Sequence, residues 1–177
     1  MFIKVITVLV LFSSIFVAQP KAIHFKVLQN FLPKSEIPHF VRQKPTGSTQ
    51  SVMGMTTSFA EVAYNQTPDT ANNSNPISVN IKLTDASLYP AMLMSFMMIS
   101  DFETEDENGY EKTILVKDKY KGILKAESGE YKNLHLSFSV ANKFLLEFEA
   151  EGTDSFELLQ QFINDIDYEK LEIAKPE

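Results

Sequence analysis

The clearest rhythm in the chain is Ile77, Val79, Ile81 and Leu83 alternating with Ser78, Asn80 and Lys82. A period of two predicts a strand with one buried and one wet face. The same alternation returns in Leu134, Leu136, Phe138 and Val140, and beyond Ala141-Asn142 in Phe144, Leu146, Phe148 and Ala150. Two such runs around a short break predict an antiparallel hairpin packed on one face. Residues 110–116 and 120–126 read as further strands around a turn near Asp118, with Ser128-Gly129 as another turn. Residues 49–53 and 55–65 read as paired or consecutive strands, with Gly54 at the break.

Helical spacing is confined to three places. Phe25, Leu28, Phe31 and Leu32 predict a short amphipathic helix that Pro33 ends. Tyr89-Pro90 sets up a helix from about Ala91 to Ser100 that is apolar almost all the way round. Phe156, Leu159, Phe162, Ile163 and Ile166 predict a last helix, with a capping-box-like start at Asp154 and Glu157. Pro33, Pro38 and Pro45 make residues 33–47 an extended connector that cannot join a central strand, tacked to the core by Ile37, Phe40 and Val41. Residues 66–76 form a polar loop, and residues 101–108 an acidic loop closing in the turn signal Asn108-Gly109. The expected fold class is α+β: an antiparallel β-sheet covered by N-terminal, central and C-terminal helices.

Ahead of this pattern, Lys4 precedes an uncharged, mostly apolar run over residues 5–18, followed by Gln19-Pro20-Lys21-Ala22. A run of about 14 residues is short against the roughly 20 that a spanning helix needs. It reads as a secretory signal peptide over residues 1–22, cut within residues 18–22, and the uncleaved alternative is a membrane anchor. Residues 23–177 are then one extracytoplasmic domain, periplasmic or secreted. There is no cysteine, so neither acylation nor a disulfide framework is available. About 155 residues bury enough surface to fold without such staples.

Loss of Lys4 and Lys21 moves the formal charge from −7 to −9. With Arg42 as the single arginine, nucleic acid is excluded as a partner, and anionic membrane surfaces are disfavoured on net charge. Membrane contact is expected only through the signal segment, if uncleaved.

Catalytic chemistry has little to work with. The histidines are His24, His39 and His135, and no local motif joins any of them to a serine; G-x-S-x-G, S-x-x-K, H-E-x-x-H and C-x-x-C are all missing. His135 falls on the solvent side of its strand. Asp101, Glu103, Glu105, Asp106 and Glu107 loosely echo a calcium loop, but Asp106 stands where glycine is needed and Lys112 where a bidentate acid is needed. Glu147, Glu149 and Glu151 share the outer face of a strand, as a solvated sheet face would. Asn65-Gln66-Thr67 and Asn72-Asn73-Ser74 match the glycosylation pattern of eukaryotic secretory hosts. No catalytic residue, metal ligand or cofactor is assigned.

The methionines are the distinctive residues. Met92, Met94, Met97 and Met98 fall in the central helix, and Met53 and Met55 flank Gly54. Three readings apply: flexible core filling, a surface that adapts to an apolar guest or partner, or thioether binding of Cu(I).

The order of short motifs resembles a family of small exported proteins of unknown function. The resemblance is carried by Leu32-Pro33, Pro45-Thr46-Gly47-Ser48, Met53-Gly54-Met55, Ser58-Phe59-Ala60 with Tyr64, the strand 79–85, Gly109-Tyr110-Glu111-Lys112, residues 140–152 and Ile166-Asp167-Tyr168. The layout is also similar, more distantly, to Mog1/PsbP-like domains, which implies a helix-covered antiparallel sheet acting as a binding or assembly module. Neither resemblance carries over a functional residue. The function expected is a non-enzymatic extracytoplasmic binding or accessory protein that offers Met53, Met55, Met92, Met94, Met97 and Met98 to a protein partner or small apolar ligand. The alternatives are a hydrolase with an unrecognised site and a copper- or calcium-handling protein.

Overall fold

A computed structural model describes residues 21–52, 55–67 and 76–176. The signal peptide over residues 1–22 thus lies almost wholly outside the described residues, as do Met53, Gly54, the second glycosylation triplet and most of the 66–76 loop. The described chain is dominated by antiparallel sheet, and its helices are few and short.

Nine strands form the sheet: β1 (Phe40–Arg42), β2 (Thr46–Val52), β3 (Met55–Gln66), β4 (Ser78–Asp85), β5 (Glu103–Asp106), β6 (Gly109–Val116), β7 (Tyr120–Glu127), β8 (Asn133–Val140) and β9 (Phe144–Glu151). The order is β1-β3-β4-β9-β8-β7-β6-β5, every pairing is antiparallel, and β2 also lies on β3. Both β1 and β2 pair with the outer side of β3, so the proline-bearing connector forms the sheet edge, where a missing N–H costs no ladder bond. From β5 to β9 the chain is a meander of hairpins, and β9 returns to pair with β4.

Register aligns the alternating apolar residues into rows. Val62, Ile81, Phe148, Leu136 and Leu124 form one row; Tyr64, Val79, Ala150, Leu134 and Ala126 form the next. All of them are buried. Against this face pack α1 (Phe25–Leu28) with its continuing 3-10 turn, α3 (Phe156–Asn164) and α4 (Tyr168–Ile173). Leu28, Leu159, Phe162, Ile163 and Leu171 belong to the same core as the sheet rows. The Phe162 ring meets Tyr64 edge-on at 4.8 Å, and Tyr168 stacks on Tyr120 at 5.2 Å. The connector is pinned by Tyr64, whose hydroxyl donates to the Pro33 carbonyl at 2.9 Å, while the Arg42 Nε–H donates to that carbonyl at the same distance.

Four local expectations are corrected. The acidic segment is not wholly a loop: Glu103–Asp106 is the edge strand β5, reversing at Glu107-Asn108. The central helix is a 3-10 turn, Pro90–Leu93, followed by only one turn and a half of α-helix, α2 (Met94–Met98). The cap of α3 is Ser155 rather than Asp154; its hydroxyl oxygen accepts from the Leu158 amide at 3.3 Å and its O–H donates to Glu157 at 2.9 Å. Helix α4, capped by Asp167, follows where the sequence pattern showed only a single last helix. No helix among the described residues is long and apolar enough to cross a membrane.

Candidate functional site

The chain leaves β4 beside β9 and must reach β5 at the far edge. It does so as a strap across the second face of the sheet, at the end where the β6–β7 and β8–β9 turns lie. Leu93 and Ala86 are buried on Leu145 of β9, with Phe96 packed beside them. Beyond α2 the Lys121 ammonium of β7 reaches the Ile99 carbonyl at 3.4 Å and the Asp101 carboxylate at 2.9 Å. On β6 the Thr113 hydroxyl donates to the Ser100 carbonyl at 3.1 Å, and its amide to Phe102 at 3.0 Å.

With Leu93 and Phe96 turned inward, the methionines turn outward. Met92 is 43% exposed, Met94 52%, Met97 59% and Met98 77%. These four do not fill the core. Too few turns are present to bury an apolar circumference, and the sheet beneath is mostly polar, so one narrow stripe anchors the segment. Met55 opens β3, and Met53 lies outside the described residues.

The rest of this second face is mostly polar, half-exposed at Lys82 and Glu147 and buried at Ser137. Glu61, Lys82, Glu147 and Ser137 stand in register, beside the row Ala63, Asn80, Glu149, His135 and Lys125. Lys82 pairs with Glu147 at 3.7 Å. His135 shares a shallow cleft of about 200 Å³ with Glu61, Asn80, Lys82, Glu147 and Glu149. His24 caps α1, accepting from the Lys26 amide at 3.3 Å, and His39 sits at a positive φ of 68° with its carbonyl accepting from Thr67. The three histidines thus belong to three separate parts of the molecule. Among the described residues no group of three His, Asp or Glu side chains is placed to hold a metal ion. In β5, strand alternation sends Glu103 and Glu105 to one side and Asp106 to the other, and Lys112 lies 3.7 Å from Glu103.

A larger open cleft, about 590 Å³, lies at the opposite end of the sheet between the β5–β6 and β7–β8 turns. Asp106, Glu111, Glu127 and Glu130 ring it, and Tyr131, 79% exposed, stands over it. Lys125 is held by Glu127 at 2.6 Å, a bond that raises the pKa of its ammonium. The cleft escaped sequence reasoning because its lining comes from separate strands and turns, each bland by itself.

Three polar anchors were also missed. Asp85 is buried at the end of β4, Asp165 ties the end of α3 to Lys34 and Ser35, and Glu172 joins Lys119 at 2.5 Å to the Tyr120 hydroxyl at 2.7 Å. For Asp85 a signal existed: the alternation Val79, Ile81, Leu83 places the next step, Asp85, on the core face. Comparison of the chain with family models, curated proteins and solved structures returned no match.

Proposed function

We propose that this chain is a non-enzymatic extracytoplasmic binding or accessory module, and that the strap carrying Met92, Met94, Met97 and Met98 is its contact surface. The observation that carries this reading is the pairing of exposure with fixation. The four thioethers face solvent, while Leu93, Ala86 and Leu145 beneath them hold the segment against the sheet. Methionine on such a base gives a polarisable apolar surface whose side chains adapt to a guest while the backbone stays in place. The export reading rests on Lys4, the short apolar run and Ala18 and Ala22 at the expected cut. The helix-covered sheet serves here as a scaffold for the strap.

The test is the double substitution Met94→Ala with Met97→Ala. Because both side chains are exposed, the unfolding free energy read from urea denaturation is expected to stay within about 0.5 kcal/mol of the parent. Native mass spectrometry of protein recovered from the exported fraction is expected to show a bound mass or partner on the parent and none on the variant. Bare protein in both samples, or unfolding of the variant, overturns the reading. The alternative of a hydrolase rests on His135 beside Glu147 and Glu149; its test is an esterase and glycosidase panel comparing the parent with His135→Ala.

A further inference from the structure

The two side rims of the sheet are built differently. β5 closes one of them with Glu103, Glu105 and Asp106 among its four residues. The other is shared by β1 and β2. β1 is three residues long and lies between Pro38 and Pro45. β2 is seven residues long, pairs with β3 without a bulge, and carries neither charge nor proline. From Ile37 to Ala60 the chain has no aspartate or glutamate at all, although its net charge is −7. Charge, proline, bulges and shortness are the usual guards of an exposed strand, and β2 has none of them.

The direction of its unpaired backbone groups follows from the bonds around it. The Gln43 amide donates to the Ala63 carbonyl and the Thr67 amide to the His39 carbonyl, both at 2.8 Å, whereas the Gln66 amide donates to Ile77 on the β4 side. Odd-numbered residues of β3 therefore bond toward β1 and β2, and even-numbered ones toward β4. Opposite Glu61, Phe59 and Thr57 stand Thr46, Ser48 and Gln50, whose backbone groups are thus taken. Gly47, Thr49 and Ser51 turn their N–H and C=O groups the other way, and among the described residues no strand or turn bonds to them. The strand is held from its helix-covered face. The Phe25 amide donates to Thr49 Oγ1 at 3.0 Å, that oxygen lies 2.8 Å from Ser58 Oγ, and a Cβ on Gly47 would stand 3.1 Å from the Phe25 ring.

We propose that this rim is a dimer interface, in which β2 pairs antiparallel with β2 of a second copy about a two-fold axis at Thr49. An open strand rim takes another extended strand, and three features select this one. Around Thr49 the pairing sets threonine against threonine, Gly47 against Ser51, Ser48 against Gln50 and Thr46 against Val52, so no like charges are opposed and small hydroxyl residues meet. Glu61, the carboxylate across from Thr46, already accepts from the Thr46 hydroxyl at 2.9 Å. An acidic chain repels its own copies over most of its surface, and the acid-free stretch is where two of them approach with least repulsion. A two-fold contact also uses up the rim on both copies, so the assembly closes as a dimer. The inference goes beyond the strap reading and does not depend on it.

The chain has no cysteine, so a single spin label can be placed at will. The full chain is labelled through Gln50→Cys or, on the opposite rim, through Glu105→Cys. Sedimentation equilibrium is expected to show reversible exchange between monomer and dimer and nothing larger. The label at 50 is expected to show strong dipolar broadening in the dimer, and the label at 105 none. Ser51→Pro removes an outward N–H that β3 does not use, and is expected to abolish the dimer while urea denaturation shows a folded monomer. Ser48→Glu with Gln50→Glu sets acid against acid and is expected to abolish it as well, whereas Ser48→Lys with Gln50→Glu sets lysine against acid and is expected to restore it. A monomer at every concentration, species larger than a dimer, equal broadening at 105, or association that survives both Ser51→Pro and the double acid overturns the proposal. Failure of the lysine–acid chain to dimerise overturns the register about Thr49. A dimer lost in the Met94→Ala, Met97→Ala chain but kept in Ser51→Pro overturns it in favour of the strap.

Discussion

The carboxylate of Asp85 accepts a hydrogen bond from the backbone amide of Ile23 at 2.6 Å, across 62 positions of sequence, with both residues 2% exposed. The other carboxylate oxygen accepts from the Ser87 amide at 3.0 Å. One buried side chain thus fixes the entry of the chain into the domain and begins the strap that follows β4. Asp85→Ala leaves the Ile23 N–H unsatisfied in the core, which costs about 1–3 kcal/mol. Asp85→Asn retains an acceptor oxygen and is expected to lose less. Urea denaturation of the two variants checks the order; equal losses would mean that the amide finds another partner.

Two tyrosines in van der Waals stacking have opposite polar fates. The Tyr120 hydroxyl donates to Glu172 at 2.7 Å, whereas the Tyr168 hydroxyl is buried with no hydrogen-bond partner. Burial raises both phenol pKa values, with Glu172 adding to the rise at Tyr120 and Tyr120 to that at Tyr168. Tyr168→Phe therefore removes an unsatisfied polar atom and is expected to leave stability unchanged or raise it by about 1 kcal/mol, while Tyr120→Phe lowers it by about 1 kcal/mol. Thermal unfolding of the pair distinguishes them by sign.

Asp165 gives the fold an acid-sensitive joint. Burial raises its pKa, but the Ser35 hydroxyl, the amides of Ser35 at 2.7 Å and Lys34 at 2.6 Å, and the charge of Arg42 outweigh burial and hold the carboxyl below its ordinary range. A group whose pKa falls on folding contributes fully above its unfolded value and loses that contribution as pH drops through the folded one. Stability is thus expected to be level through neutral pH and to fall below the ordinary carboxylate range. Asp165→Asn is expected to flatten part of that fall and to cost about 1 kcal/mol at pH 7, a figure already reduced for solvent access. An acid titration of the urea midpoint that is superimposable for parent and variant would rule out the joint.

The β8–β9 turn holds Ala141 at φ 53° and Asn142 at φ 50°. Asparagine tolerates the left-handed region, whereas alanine there presses its Cβ toward the following carbonyl. Ala141→Gly is expected to stabilise the domain by about 1 kcal/mol, read as a higher melting temperature.

Where side chains alternate, sequence and structure agree: residues 134–140 and 144–150 became β8 and β9 with the apolar face inward. Period two reports burial directly, and turns too short for anything but a hairpin set the direction. The pattern was silent on what depends on partners distant in sequence. Glu103 to Asp106 shows no apolar alternation because an edge strand needs only β6 beside it. The strap misled because hydrophobicity alone does not distinguish a segment that is buried from one that is merely apolar. Leu93 is inside and Met94, its neighbour, is outside, and only the path from β4 to β5 decides which.

That same edge strand sets a limit on growth. β5 offers one rim to β6 and the other to solvent, and three of its four residues are carboxylates. An open rim is a template on which another copy can crystallise one chain at a time. Here any incoming duplicate must bring its own row of negative charge against the first, so at neutral pH the ribbon repels its own continuation and the sheet ends where the meander begins.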